Sequence, residues 1–127
     1  MEDNFKIIEE NKMADTIFKK IIDKEIPADI VFESENVLAF RDINPQAPTH
    51  ILIIPKEEIP SVRELDGKKH GALLGEMIDA ANKIAEDEGI AEEGFRLVFN
   101  CGDKGGQEVY HLHMHLLGGR QMTWPAG

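Results

Sequence analysis

Apolar positions recur at helical spacing in two stretches of the chain and at strand-like density in five. In "DTIFKKIIDKEIP", Ile17, Phe18, Ile21 and Ile22 share one helical face, Asp15 is placed to cap the N-terminus, and Pro27 stops the run. This predicts a short amphipathic helix. "DIVFES" and "VLAFRD" are rich in β-branched and aromatic residues and are separated by Ser34, Glu35 and Asn36, the pattern of a hairpin. "NPQAP" at 44–48 breaks the chain. "THILIIP" is a continuous apolar run ended by Pro55, as a strand buried on both faces requires. "LLGEMIDAANKIAEDEG" then sets Leu74, Met77, Ile78, Ala81, Ile84 and Ala85 on one stripe, with Gly89 just past the end and Gly75 a mild weakness inside. "FRLVFN" reads as a strand, "CGDKGGQ" as a glycine-rich loop and "EVYHLHMHLL", residues 108–117, as a final strand. The order α, β, β, β, α, β, β with short turns predicts an α+β fold: a mainly antiparallel sheet with its helices on one face. Residues 1–13 are polar and weakly periodic and read as a flexible tail, with Met13 a candidate second start. Residues 14–127 read as a single domain.

Composition narrows the partners. A formal net charge of −10 repels nucleic-acid backbones and anionic membrane surfaces. No apolar run approaches the roughly 20 residues of a membrane span, and the N-terminus lacks the apolar core of a signal peptide. The lone Cys101 has no partner for an internal disulfide. A cytoplasmic protein that binds neither nucleic acid nor membrane is the expectation. Cys101 reads as a small packing or loop residue, His70 as solvent-exposed, and "EDEG" at 86–89 as a solvated helix end.

The candidate chemistry lies in "YHLHMHLLGG" at 110–119. On a strand, His111, His113 and His115 line one face, neighbours about 6.6 Å apart along the strand, while Tyr110, Leu112, Met114 and Leu116 line the other. Three imidazoles in register are more than surface decoration. One reading is a zinc site, completed by His50, Asp103 or Cys101. The other is phosphate chemistry, since neutral imidazole is a nucleophile near pH 7 and its pKa suits proton transfer. Gly102, Gly105 and Gly106 favour phosphate, because backbone N–H groups can then approach an anion closely.

The run His111-Leu112-His113-Met114-His115-Leu116-Leu117 resembles the signature of the histidine triad family, three histidines alternating with apolar residues. With "DTIFKKIIDKEIP", "FRDINPQAPTHILIIP" and "GGQEVYHLHMHLLGGRQ", the chain is most similar to the bacterial form of the Hint branch. The resemblance implies a five-stranded sheet with two helices, paired in a homodimer into one ten-stranded sheet. It implies a metal-independent, cofactor-free hydrolase that cleaves the P–N bond of purine nucleoside 5′-phosphoramidates of AMP or GMP. His113 would be the nucleophile, His111 its orienting residue, His115 the holder of phosphate oxygens and His50 the partner closing a proton relay. Asp42 would accept the ribose hydroxyls, and Ile17, Phe18, Phe40, Ile43 and Leu52 would wall the base. Asn100, Gly106, Gln107 and Val109 correspond to phosphate-side contacts, and Trp124 would reach the partner subunit's site. Glu108 stands where animal members carry a relay serine, and an ionised carboxylate cannot donate that proton. A dinucleoside polyphosphate hydrolase and a non-catalytic nucleotide-binding module are the alternatives.

Overall fold

In the computed structural model, residues 16–127 are described. The tail and the Asp15 cap lie outside them. Helix α1 spans Ile17–Ile22, and Thr16 occupies its N-cap, its hydroxyl accepting from the Lys19 N–H. Strands β1 (Ile30–Glu33), β2 (Val37–Arg41) and β3 (Thr49–Pro55) follow, then a 3₁₀ turn at Val62–Glu64 and the long helix α2 (Gly67–Asp87). Strand β4 (Phe95–Phe99), a single helical turn α3 (Gly102–Gly105) and strand β5 (Met114–Gly118) complete the order. All strand pairs are antiparallel, and the sheet order is β1-β2-β3-β5-β4, so the last strand is inserted beside β3 and leaves β4 at the edge.

The predicted hairpin, the buried strand at 49–55 and the α+β class are all present. The helices, however, occupy opposite faces of the sheet. Strand side chains alternate, so Val37, Ala39, Ile51, Ile53, Leu112, Met114 and Leu116 pack with Met77, Ala81 and Ile84 of α2. Leu38, Phe40, Leu52 and Ile54 pack with Phe18 and Ile21 of α1. A helix as short as α1 still covers a sheet face because two of its residues are fully engaged. Ile17, expected on that face, is 51% exposed, and Ile78 likewise points away from the α2 stripe.

Two further expectations are corrected. Helix α2 begins six residues before the apolar run, at an Asp66 cap whose carboxylate accepts from Lys68 N–H while His70 Nδ1 accepts the Asp66 N–H. That reciprocal cap buries His70 to 6% exposure, where the sequence reads a solvent residue. At the other end of α2, Glu88 is not merely solvated: it forms a two-point pair with Arg41 at 2.7 and 2.9 Å, tying the helix end to β2. Among the described residues no helix is long and apolar enough to cross a membrane.

Ile53 is fully buried between Ala39 and Met114 of the flanking strands. Ile53→Ala should lower the unfolding free energy by about 2–5 kcal/mol, measured by urea denaturation. Ile43→Ala, at a side chain 98% exposed, should change it by less than about 0.5 kcal/mol.

Candidate active site

The regular strand β5 begins only at Met114, so of the three histidines His115 alone lies on it. Residues 108–113 form no sheet ladder because their backbone groups bond elsewhere: Leu112 N–H donates to the Ile59 carbonyl at 2.7 Å, and the His111 carbonyl accepts from a side chain. The alternation of faces nevertheless persists. Leu112, Met114 and Leu116 enter the α2 core, which turns all three imidazoles toward the α1 side.

There the ring of Phe18 stands edge-on to His113, with ring centroids 5.0 Å apart, and also approaches His111. His111 is buried, and its Nε2–H donates to the Pro55 carbonyl at the end of β3 at 2.7 Å. Its own carbonyl accepts from His113 Nδ1–H, again at 2.7 Å. With the proton held on Nδ1, a neutral His113 carries its lone pair on Nε2. His113 faces a cavity of about 390 Å³ that is also lined by Asp42, Asn44, Gln46, His50, Asn100, Gly106, Glu108 and His115.

A second chain of bonds fixes His115. Gln46 N–H donates to His50 Nδ1 at 3.0 Å, so the proton of a neutral His50 is on Nε2. His50 Nε2 faces His115 Nδ1 at 2.9 Å and must be the donor. His115 therefore carries its proton on Nε2, and that buried N–H has no hydrogen-bond partner. A buried donor left unmatched is costly, and a ligand acceptor in the cavity would satisfy it.

All four imidazoles are held below the ordinary histidine pKa, first by burial, which disfavours the charged ring. His115 is pushed down to about 4, its neighbours His113 and His50 adding to the effect of burial. The site is thus built from neutral rings at pH 7.

Asp42, His50 and His115 bring ligand-type atoms within 4.8 Å of one another, the arrangement nearest to a metal site among the described residues. As bonded, neither imidazole has a lone pair left for a metal: both acceptor nitrogens are occupied and both others carry protons. Asp103 and Cys101, the other zinc candidates, line a separate cavity, where Asp103 accepts from the Tyr110 hydroxyl at 3.0 Å.

The remaining expected residues divide. Asp42 lines the cavity, accepts the Asn44 N–H at 2.8 Å and stands 3.5 Å from His50 Nε2. Asn100, Gly106 and Glu108 also line it. Gln107 does not. Its amide donates to the Pro60 and Val109 carbonyls while its oxygen accepts from Gly102 N–H, so it braces the loop rather than offering a free group. Phe18, Phe40, Leu52 and Val109 form the apolar cluster beneath the site, whereas Ile43 projects into solvent. Trp124 is 82% exposed. Sequence reasoning missed Asn44 and Gln46 on the cavity wall. Gln46 acts on His50 through its backbone N–H, for which no side-chain signal exists.

Residues 23–122 match the HIT domain. The chain belongs to the HIT domain family. It is 61% identical over 108 residues to the purine nucleoside phosphoramidase of Escherichia coli K12, covering 85% of this chain and 90% of that protein. It is 53% identical to the adenylylsulfatase HINT1 of Arabidopsis thaliana, over 88% of this chain and 76% of that one. A crystal structure of a HIT family hydrolase from Legionella pneumophila matches with a TM-score of 0.85 at 57% identity, over 87% of this chain and 98% of that chain. Relatives this close support a nucleotide hydrolase of the HIT type.

The depressed histidine pKa values fix the sign of a pH effect. The unfolded chain takes up protons at these four sites below about pH 6.5, whereas the folded chain resists them, so the stability they permit is present above that pH and lost as it falls toward about 4. Glu33, Asp66 and Glu88, all lowered by their partners, lose their contribution only as pH falls below the ordinary carboxylate range, under the interval from about 6.5 to 5. The melting temperature should therefore fall already between about pH 6.5 and 5. A flat profile across that range would contradict neutral, buried imidazoles.

Proposed function

We propose that the protein hydrolyses purine nucleoside 5′-phosphoramidates, with His113 as a covalent nucleophile. The observation that carries this is one cavity lined both by His113, whose Nε2 keeps its lone pair, and by His115, whose Nε2–H has no partner, their ring centroids 5.0 Å apart. In this reading His113 Nε2 attacks the α-phosphorus and the P–N bond breaks. The departing nitrogen takes a proton that the His115–His50 pair relays from solvent, and water then cleaves the nucleotidyl-histidine, its hydroxyl going to phosphorus and its proton back to solvent, so that both rings end neutral. An amine leaves well only when protonated, and two steps through a covalent intermediate replace one difficult displacement. His115 Nε2–H also binds a phosphate oxygen before transfer. His111 holds the carbonyl that orients His113. Asp42 would accept the ribose hydroxyls, and Ile43 has free surface to meet the base.

Among the described residues the cavity wall carries two carboxylates, Asp42 and Glu108, and no lysine or arginine. That suits a singly charged phosphoramidate better than a polyanionic dinucleoside polyphosphate. The adenylylsulfatase name of the Arabidopsis relative supports a second reading, in which His113 attacks the same α-phosphorus and sulfate leaves. Sulfate needs no proton to depart, so that reaction would tolerate loss of the His115–His50 pair better.

Homodimerisation belongs to the same proposal. Among the described residues the outer edge of β4 pairs with no strand, its first four residues are half-buried, and Phe99 is exposed. Arg96 holds the C-terminal segment beside this edge through the Thr123 carbonyl at 2.8 Å, which would bring Trp124 to the neighbouring subunit. Light scattering should give twice the 14.3 kDa chain mass.

Turnover of an adenosine 5′-phosphoramidate carrying a fluorescent amine is the direct test. Wild-type hydrolysis should be insensitive to chelator, and His113→Ala should lose at least about 10³-fold in kcat while still binding AMP. Undiminished turnover by His113→Ala would overturn the mechanism. AMP binding without wild-type turnover would favour a nucleotide-binding module, and competition by adenylyl sulfate would show which leaving group is preferred.

A further inference from the structure

We propose that Arg120 is a positioning residue that, by clamping the 44–48 loop, fixes which nitrogen carries the proton in His50 and therefore in His115. The functional part of this inference rests on the role assigned above to His115.

Loop 44–48 belongs to no helix or strand. From one side Asp42 accepts the Asn44 N–H, and the Gln46 side chain donates to the Asn44 carbonyl at 3.1 Å. From the other side the Arg120 guanidinium donates to the Gln46 carbonyl through both Nε, at 3.2 Å, and Nη2, at 3.1 Å. Gln46 is also the residue whose N–H donates to His50 Nδ1. Gly119 brings Arg120 to this loop. Its φ of +88° favours glycine, and a Cβ there would lie 2.9 Å from Pro48 Cβ, so the bare backbone packs directly on the loop.

The consequence follows from donors and acceptors. With Gln46 N–H in place, His50 must donate through Nε2, and His115, which lines the cavity, must keep its partnerless proton on Nε2. If the loop drifts, only Asp42, 3.5 Å from His50 Nε2, still favours the proton there, and His50 can move it to Nδ1. His115 then donates to His50 through Nδ1, and its Nε2 becomes a lone pair facing the ligand. Phosphate oxygens only accept, so that tautomer repels what the first one binds. Arg120 is exposed, so losing its side chain opens no core.

Histidine-selective ¹⁵N NMR of the full chain, together with phosphoramidate turnover, tests the clamp. In wild type, His50 and His115 should each show a single Nε2–H tautomer. In Arg120→Ala both should show averaged shifts, with kcat down by about tenfold and the melting temperature nearly unchanged. Arg120→Lys, which keeps a donor near the Gln46 carbonyl, should restore part of both signals. Gly119→Ala, which pushes the loop away, should shift the tautomers as Arg120→Ala does. Single Nε2–H tautomers and full kcat in Arg120→Ala would overturn the proposal, as would equal losses in Arg120→Ala and Arg120→Lys that simply follow melting temperature. If the wild type does not hydrolyse the phosphoramidate, the mechanism fails, and the tautomers alone still decide the clamp.

Discussion

Strand β3 is the constraint on which the rest depends. It is buried at every position from Thr49 to Pro55, clasped by β2 on one side and β5 on the other. Its two ends hold the site: His50 near the start meets His115, and the Pro55 carbonyl at the finish receives His111. Register makes this possible. Leu52 lies opposite His115 and His50 opposite Leu117, so the two imidazoles are diagonal neighbours on one face. A slip of one residue would turn the paired side chains to the other face and expose the aliphatic row that packs on α2.

Within that frame, hydrogen bonds to the backbone settle the protonation pattern. The Pro55 carbonyl orders His111, the His111 carbonyl orders His113, and the Gln46 N–H orders His50 and through it His115. Burial keeps every ring neutral, so the pattern is one of tautomers rather than charges. Long-range attraction of phosphate is weak for a chain of net charge −10, and among the described residues no lysine or arginine lines the cavity. The unmatched His115 N–H is a directional donor of the kind that can bind an anion without a formal positive charge.

Much of this was legible in the sequence, for identifiable reasons. The run at 49–55 announces a buried strand because both its faces are apolar, the run at 37–41 announces one arm of a hairpin, and the shared face of the three histidines follows from simple alternation. The strand predicted over 108–117 was too long because the period-2 pattern cannot show that Leu112 N–H goes to Ile59 and the His111 carbonyl to His113. His70 escaped because "KKH" looks solvated until its ring nitrogen is seen closing the Asp66 cap. Gln107 resembles a phosphate contact in sequence, yet both of its amide hydrogens go to the Pro60 and Val109 carbonyls and its oxygen accepts from Gly102 N–H. Which face of the sheet α1 covers depends on Phe18 reaching His113, a long-range contact with no local signature.

The site is also a product of the whole fold. His50 and His115 are 65 residues apart in sequence, and Pro55 and His111 are 56 apart. Neither tautomer-setting bond can exist in the unfolded chain, where each histidine is hydrated and free to take a proton. Burying four imidazoles and leaving one N–H without a partner opposes folding. The opposing term is the apolar surface on both sides of β3, with Ile51 and Ile53 against the α2 cluster and Leu52 and Ile54 against Phe18 and Ile21. An unmatched donor persists where the surrounding core is stable enough to hold it and a ligand can later satisfy it. This places the two hydrophobic layers, rather than the histidines themselves, as the source of the site's rigidity.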